Sequence, residues 1–266
     1  MIDAVVSAAR RAGLAIEEVQ RSGFYVESKG DAGPVTEADH RADAILRHEL
    51  LALESAGWLS EETVDDATRL GRDALWIVDP LDGTKEFVDG IPQYCVAIGL
   101  VRAGEPVLGV VHNPATDDTF WAEGGRGAWR NGTAIRVAEG RRLLASRSEL
   151  KRGEFDPFHA GWELSPVGSI QLKLAMVAAG DAAVTLSRGP KHEWDVCAGA
   201  LLVAEAGGRV TDLLGGPLRY NQPVPKVKGV LAGAPAAYAR AAGELTTIGP
   251  SDRMDEFTHT PRPGGK

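Results

Sequence analysis

The chain has 266 residues, 44% of them hydrophobic and 25% charged, which is ordinary for a soluble globular protein with one large domain or two small ones. Its net charge of −8 and the lack of a basic cluster exclude a nucleic-acid polymer as partner, while a small anion neutralised by metal stays compatible. Two cysteines, Cys95 and Cys197, argue against a disulfide scaffold and fit a cytoplasmic location; Arg10 and Arg11 interrupt any signal-peptide pattern, and no apolar run approaches the ~20 residues of a membrane helix.

Val5, Ala8, Ala9, Ala12, Ile16 and Val19 recur at helical spacing and predict a helix over 2–21. From Ser22 to Pro34 the chain is polar and glycine-bearing, and a short extended piece and a loop are expected there. Lys29 and Asp31 lie in it, as solvated charges or as groups presented to a substrate. Thr36 then reads as the N-cap of a second helix with Asp39 at N3, an arrangement like a capping box, and the helix runs through Ala42, Ile45, Leu46, Leu50 and Leu53. Trp58–Ser60 predicts a short strand that ends on Glu61 and Glu62. Adjacent like charges repel, and a nearby cation would relieve them. Residues 63–73 read as a loop or short helix.

Leu75-Trp76-Ile77-Val78 is an apolar run that predicts a buried strand. Asp79 and Asp82 follow it, with Pro80 stiffening the backbone between them. Gly83 permits a close approach to a ligand, and Thr84, Lys85 and Glu86 begin a short helix. Strand, acidic turn and helix start together suit a divalent cation beside a phosphate. Tyr94–Val101, Pro106–His112 and Thr119–Ala122 read as strands of an antiparallel meander, continued around Gly127–Trp129 with a hairpin turn at Arg130–Thr133.

Near Arg141 the pattern changes to an α/β alternation. Leu143–Ser146 reads as a strand, followed by a polar segment to Phe158. Ser165–Ser169 leads into a helix through Leu172, Leu174, Ala175, Met176 and Ala179, stopped by Gly180. Free N–H groups after Gly168 and Ser169 suit an anion, and Lys173 lies one turn on, as an anion contact or a solvated lysine. Ala182–Leu186 reads as a strand. Asp195 opens a helix through Ala198, Leu201, Leu202 and Ala204, with Arg188 and Lys191 adding positive charge before it. Val227–Gly233 is the last strand, Pro235–Leu245 the last helix, and 249–266 a tail expected to be disordered.

The stretch D-P-L-D-G-T-K-E-F at 79–87 resembles the metal-binding signature of the inositol monophosphatase superfamily. Its K-E-F ending looks most like the 3'(2'),5'-bisphosphate nucleotidase branch. V-T-x-A-D at 35–39, S-E-E at 60–62 and E-W-D-x-x-A-G-A-x-x-x-x-E-A-G-G at 193–208 match further signatures in the expected order, and the likeness runs over roughly 1–247. The serine-then-lysine pair at 169 and 173 is similar to the nucleotidase branch but offset by about one residue.

The resemblance implies a layered αβαβα sandwich of the inositol monophosphatase and fructose-1,6-bisphosphatase type. Residues 1–142 would be an α+β half with most metal ligands, and 143–248 an α/β half with the substrate contacts and the last ligand. It implies two or three Mg²⁺ held by Glu61, Asp79, the Leu81 carbonyl, Asp82 and Asp195. Asp39 and Thr84 would aim and deprotonate a water that Glu61 helps to activate. Gly83, Thr84, Lys85, Ser169, Lys173, Arg188 and Lys191 would contact substrate. The expected activity is phosphomonoester hydrolysis, first of 3'-phosphoadenosine 5'-phosphate to AMP. Inositol 1-phosphate, another sugar or polyol phosphate, or histidinol phosphate are the alternatives, and a catalytically silent metal- or phosphate-binding protein is the alternative of another class. Inhibition by Li⁺ and a homodimer are also implied.

Overall fold

In this computed structural model the described residues are 1–28, 34–65 and 67–248; Lys29, Asp31 and the tail 249–266 lie outside them. Helix α1 (Ile2–Ser22) buries Val5, Ala8, Ala9, Ala12, Ile16 and Val19, the stripe that its spacing predicts. Strands β1 (Val26–Ser28) and β2 (Pro34–Thr36) pair antiparallel and lead into α2 (Glu37–Leu53). Thr36 caps α2, and Asp39 completes a capping box.

There follow β3 (Gly57–Ser60), β4 (Ala74–Asp82), the short α3 (Thr84–Val88), β5 (Cys95–Arg102), β6 (Glu105–Asn113), β7 (Asp118–Glu123), β8 (Ala128–Arg130) and β9 (Thr133–Ile135). These strands form a seven-stranded sheet in sequence order, parallel between β3 and β4 and antiparallel in every other pair. The second half contains β10 (Arg142–Ala145), α4 (Arg147–Lys151), β11 (Glu163–Pro166), α5 (Ile170–Ala178), β12 (Val184–Ser187), β13 (Lys191–His192), α6 (Cys197–Glu205), β14 (Arg209–Thr211), β15 (Lys226–Val227), β16 (Val230–Gly233) and α7 (Pro235–Ile248). Its main sheet has five strands in the order β11-β10-β12-β16-β14, parallel among the first three and antiparallel beyond.

Strand periodicity assigns the faces. Trp76 and Val78 of β4 pack with α1 and α2, while Leu75 and Ile77 pack with α5 and α6 on the other side. β4 is therefore buried on both faces, which is why it reads as a continuous apolar run. Gly109 lets α6 close on the sheet: a Cβ there would lie 2.8 Å from the Ala198 carbonyl oxygen. The five-stranded sheet covers the far side of α5 and α6, and α7 closes it with Tyr238 and Ala241 over Val184 and Leu231. The layers are thus α, β, α, β, α, as expected. Leu144 and Val230 of the second sheet share one core cluster with Leu75 and Ile77 of the first.

Three local expectations need correction. The strand thought to end at Val78 continues to Asp82, because a register shift against β5 between Asp79 and Asp82 accommodates Pro80. The polar segment after Ser146 contains α4, capped by the Ser146 hydroxyl. Asp195 sits in a turn closed by its N–H to the His192 carbonyl, and α6 begins only at Cys197.

Candidate active site

The site lies at the end of β4, where the N-termini of α2, α3 and α5 and the turn before α6 converge. The bulge ends the ladder and releases two carboxylates from a rigid strand. Asp79 is 1% exposed and accepts a hydrogen bond from the Leu81 N–H at 3.1 Å. Gly83 turns the chain with φ +97°, and a Cβ there would lie 2.9 Å from the Gln93 carbonyl oxygen, so only glycine fits.

Asp39 does more than cap a helix. Its Oδ2 accepts from the Thr36 N–H (2.7 Å) and hydroxyl (2.8 Å), and its Oδ1 faces the Thr84 hydroxyl at 2.9 Å. The same hydroxyl lies 3.0 Å from the Leu81 carbonyl oxygen. The Asp39–Thr84 pairing expected from the resemblance is therefore present, 45 residues apart in sequence. Glu61 follows β3, and its N–H reaches the Val78 carbonyl at 3.4 Å, which places it beside the end of β4. Glu62 lies 3.6 Å from His40 Nδ1.

The second half supplies Asp195 and a partner for Asp82. Asp82 Oδ2 accepts from the Ser169 hydroxyl and from the Gln171 N–H, each at 2.6 Å. The N-terminus of α5 does meet an anion, but it is this carboxylate. Gly168 N–H goes to Gln93 Oε1 and Leu172 N–H to Ser169 Oγ, so those groups are already used. Ser169 thus orients a carboxylate. Gln171 also donates to the Trp194 carbonyl at 2.7 Å, tying α5 to the turn that carries Asp195. Asp195 Oδ2 accepts from the His192 N–H at 2.8 Å.

These carboxylates repel one another. Burial first, then Glu61, Asp82, Asp195 and Asp39, pushes the Asp79 acid well above the usual carboxylate range. Burial also pushes Asp82 up to about 6, against the pull of the Ser169 hydroxyl, and raises Asp195. Among the described residues, no three His, Cys, Asp or Glu side chains already form a coordination shell. One oxygen of each aspartate is held by an N–H or O–H donor, and Asp79 Oδ2, Asp82 Oδ1 and Asp195 Oδ1 accept no hydrogen bond among the described residues. An all-oxygen donor set with mutual repulsion and an unused oxygen on each aspartate fits a hard divalent cation.

A cavity of about 300 Å³ opens beside Asp82 and Asp195. Gly83, Lys85, Glu86, Arg147, Glu149, Ser169, Lys173 and Lys191 are among its walls. Lys173 is 2% exposed, yet its ammonium has no hydrogen bond or ion pair among the described residues; the Lys191 ammonium has none either. Burial, then Lys191, lowers the Lys173 pKa, while Glu149, Asp82 and Glu86 raise it. Lys85 is exposed on the rim. Arg188 stands apart from this cavity wall and donates to the Glu154 carbonyl at 3.1 Å. The sequence reading passed over Arg147, which pairs with Glu86 at 3.4 Å, and Glu149. Ser146-Arg147-Ser148-Glu149 has the S-x-x-E spacing of a capping box, the one signal that marks Glu149.

Comparison with known proteins gives the family and the fold. The family model described as "Inositol monophosphatase family" matches residues 1–249. Inositol monophosphatase 2 of Solanum lycopersicum is 37% identical over 237 residues, covering 79% of this chain and 86% of that protein. The 3'(2'),5'-bisphosphate nucleotidase CysQ of Aggregatibacter actinomycetemcomitans is 33% identical over 242 residues, covering 84% and 88%. Among solved structures, the extragenic suppressor protein suhB from Bartonella henselae superposes with a TM-score of 0.81 at 32% identity, over 91% of this chain and 97% of that one.

Proposed function

The chain belongs to the inositol monophosphatase family and is a phosphoric monoester hydrolase, and from that premise we propose a substrate that carries a second anionic group, first 3'-phosphoadenosine 5'-phosphate hydrolysed to AMP and phosphate. One observation carries this reading: the buried Lys173 ammonium lines the cavity beside Asp82 and Asp195 and is unpaired among the described residues. Glu149, Asp82 and Glu86 favour its charge from a distance, but none bonds to it, so its N–H donors stay open to a ligand anion.

Glu61, Asp79, Asp82, Asp195 and the Leu81 carbonyl would hold Mg²⁺, two or three ions per site. Bound Mg²⁺ supplies an acidified water and offsets phosphate charge. The chain's own part is positional. Thr84 Oγ1 donates its proton to Asp39 Oδ1, so its lone pair is turned outward to accept from a water. As the water's proton passes to Thr84 Oγ1, the hydroxyl's own proton passes to Asp39 Oδ1, whose carboxylate is fixed by three donors. The N–H groups of Gly83 and Thr84 at the start of α3 take phosphate oxygens, Lys85 adds charge at the rim, and Lys173 and Lys191 hold the second anion. Arg188, expected as a further contact, lies outside this cavity wall and donates to the Glu154 carbonyl, so the second anion is assigned to the two lysines. A homodimer and a cytoplasmic location belong to the same proposal; no helix among the described residues is long and apolar enough to cross a membrane.

A polyol phosphate is the second reading. It is favoured by relatives named as inositol monophosphatases at 37% and 38% identity, against 33% for the nucleotidase. Lys173→Gln separates the two: it should raise KM for the bisphosphate about tenfold or more and leave KM for inositol 1-phosphate within about twofold. Equal effects on both substrates would contradict the reading.

A further inference from the structure

Glu149 lines the cavity, and both of its carboxylate oxygens accept from serine hydroxyls instead of bonding to the cavity's lysines. It is 3% exposed. Its Oε2 accepts from the Ser146 hydroxyl at the start of α4, and its Oε1 accepts from the Ser187 hydroxyl of β12 at 2.5 Å. A capping box explains the first bond only. The second comes from a buried strand 38 residues away and fixes the carboxylate in place. No ion pair within 4.0 Å joins Glu149 to Lys173 or Lys191 among the described residues, although all three line the same cavity.

We propose that Glu149 is a restrained counter-ion, a positioning residue whose serine tethers keep its charge near Lys173 and Lys191 while leaving both ammonium groups turned to the cavity. Two ammonium groups in one buried wall repel each other, and each loses hydration. A carboxylate close by offsets both costs. Had it been free to swing, it would form an ion pair with one lysine and consume the donors needed for a ligand. The two hydroxyl bonds prevent that collapse. Mutual attraction is also visible from the acid: although burial raises it, Lys173 and Lys191 hold Glu149 below its usual range. The wall so built recognises a phosphate-like anion on the leaving group, and the inference rests on the two-anion reading above.

The test uses the full chain with Mg²⁺ and two probes that differ by one phosphate, adenosine 3',5'-bisphosphate and adenosine 3'-monophosphate. Glu149→Gln keeps the shape and removes the charge; KM for the bisphosphate is expected to rise about fivefold or more while kcat stays within about twofold. Ser187→Ala lies outside the cavity wall and frees the carboxylate; KM for the bisphosphate should rise about two- to threefold with the monophosphate unaffected. Should Glu149→Gln fail to fold, by its circular dichroism, Ser187→Ala alone decides. Unchanged or tighter bisphosphate binding in a folded variant overturns the role of Glu149. A wild-type enzyme indifferent to the extra phosphate contradicts the two-anion reading by itself, before any variant is made.

Discussion

At the scale of single residues, the site is a set of acids held in unfavourable company. Asp79 shows it best: burial and four neighbouring carboxylates raise its acid well above the usual range. Replacing it with asparagine removes a ligand charge and also a repulsion. Asp79→Asn should therefore lose activity by about a thousandfold or more and yet melt no lower than wild type in the absence of divalent metal. Activity assay and thermal melting with chelator check both halves, and a collapsed Asp79→Asn would show that the acid serves the fold. The sequence marked Asp39, Glu61, Asp79, Asp82 and Asp195 because each sits in a local signature. Glu149 escaped because its bond to Ser187 spans 38 residues, and Lys173 and Lys191 beside it come from other elements.

At the scale of elements, β4 and its exit decide the geometry. The apolar run was legible as a strand, but its true end was not. Pro80 reads locally as a stop, and only the register shift against β5 lets the strand carry on to Asp82. Likewise Gly168 and Ser169 read as an open helix N-terminus, whereas Asp82 and Gln93, contributed from far upstream, already fill it. Helices α1 and α2 were legible almost whole, because a buried stripe and a capping box are local features. Gly83 is the element-level test. Its φ of +97° and the 2.9 Å approach of a Cβ to Gln93 O leave no room for alanine. Gly83→Ala should cost about 1–3 kcal/mol in denaturant melts and shift α3 enough to weaken Mg²⁺ binding. A variant with wild-type stability and affinity would contradict the strained turn described.

At the scale of the whole molecule, two sheets share one core, and the site is closed by acids from both sides of it. We propose 142/143 as the boundary between halves that fold together. The layer order could be expected only from resemblance, since periodicity gives faces but not partners. The raised acids make stability depend on pH. A raised folded-state value means that Asp79, Asp82 and Asp195 favour the folded chain in acid, and that this contribution is lost as pH rises through the folded values, near about 6 for Asp82. Mg²⁺ must displace those protons, so its effect has the opposite slope. Saturating Mg²⁺ should raise Tm more at about pH 7.5 than at about pH 5, and an equal gain at both would remove the cation from this cluster. The account as a whole is tested most directly by phosphate release in Mg²⁺, comparing kcat/KM for 3'-phosphoadenosine 5'-phosphate with inositol 1-phosphate, fructose 1,6-bisphosphate and histidinol phosphate. A preference of about a hundredfold for the nucleotide is the predicted result; equal values, or a preference for inositol 1-phosphate, would contradict it.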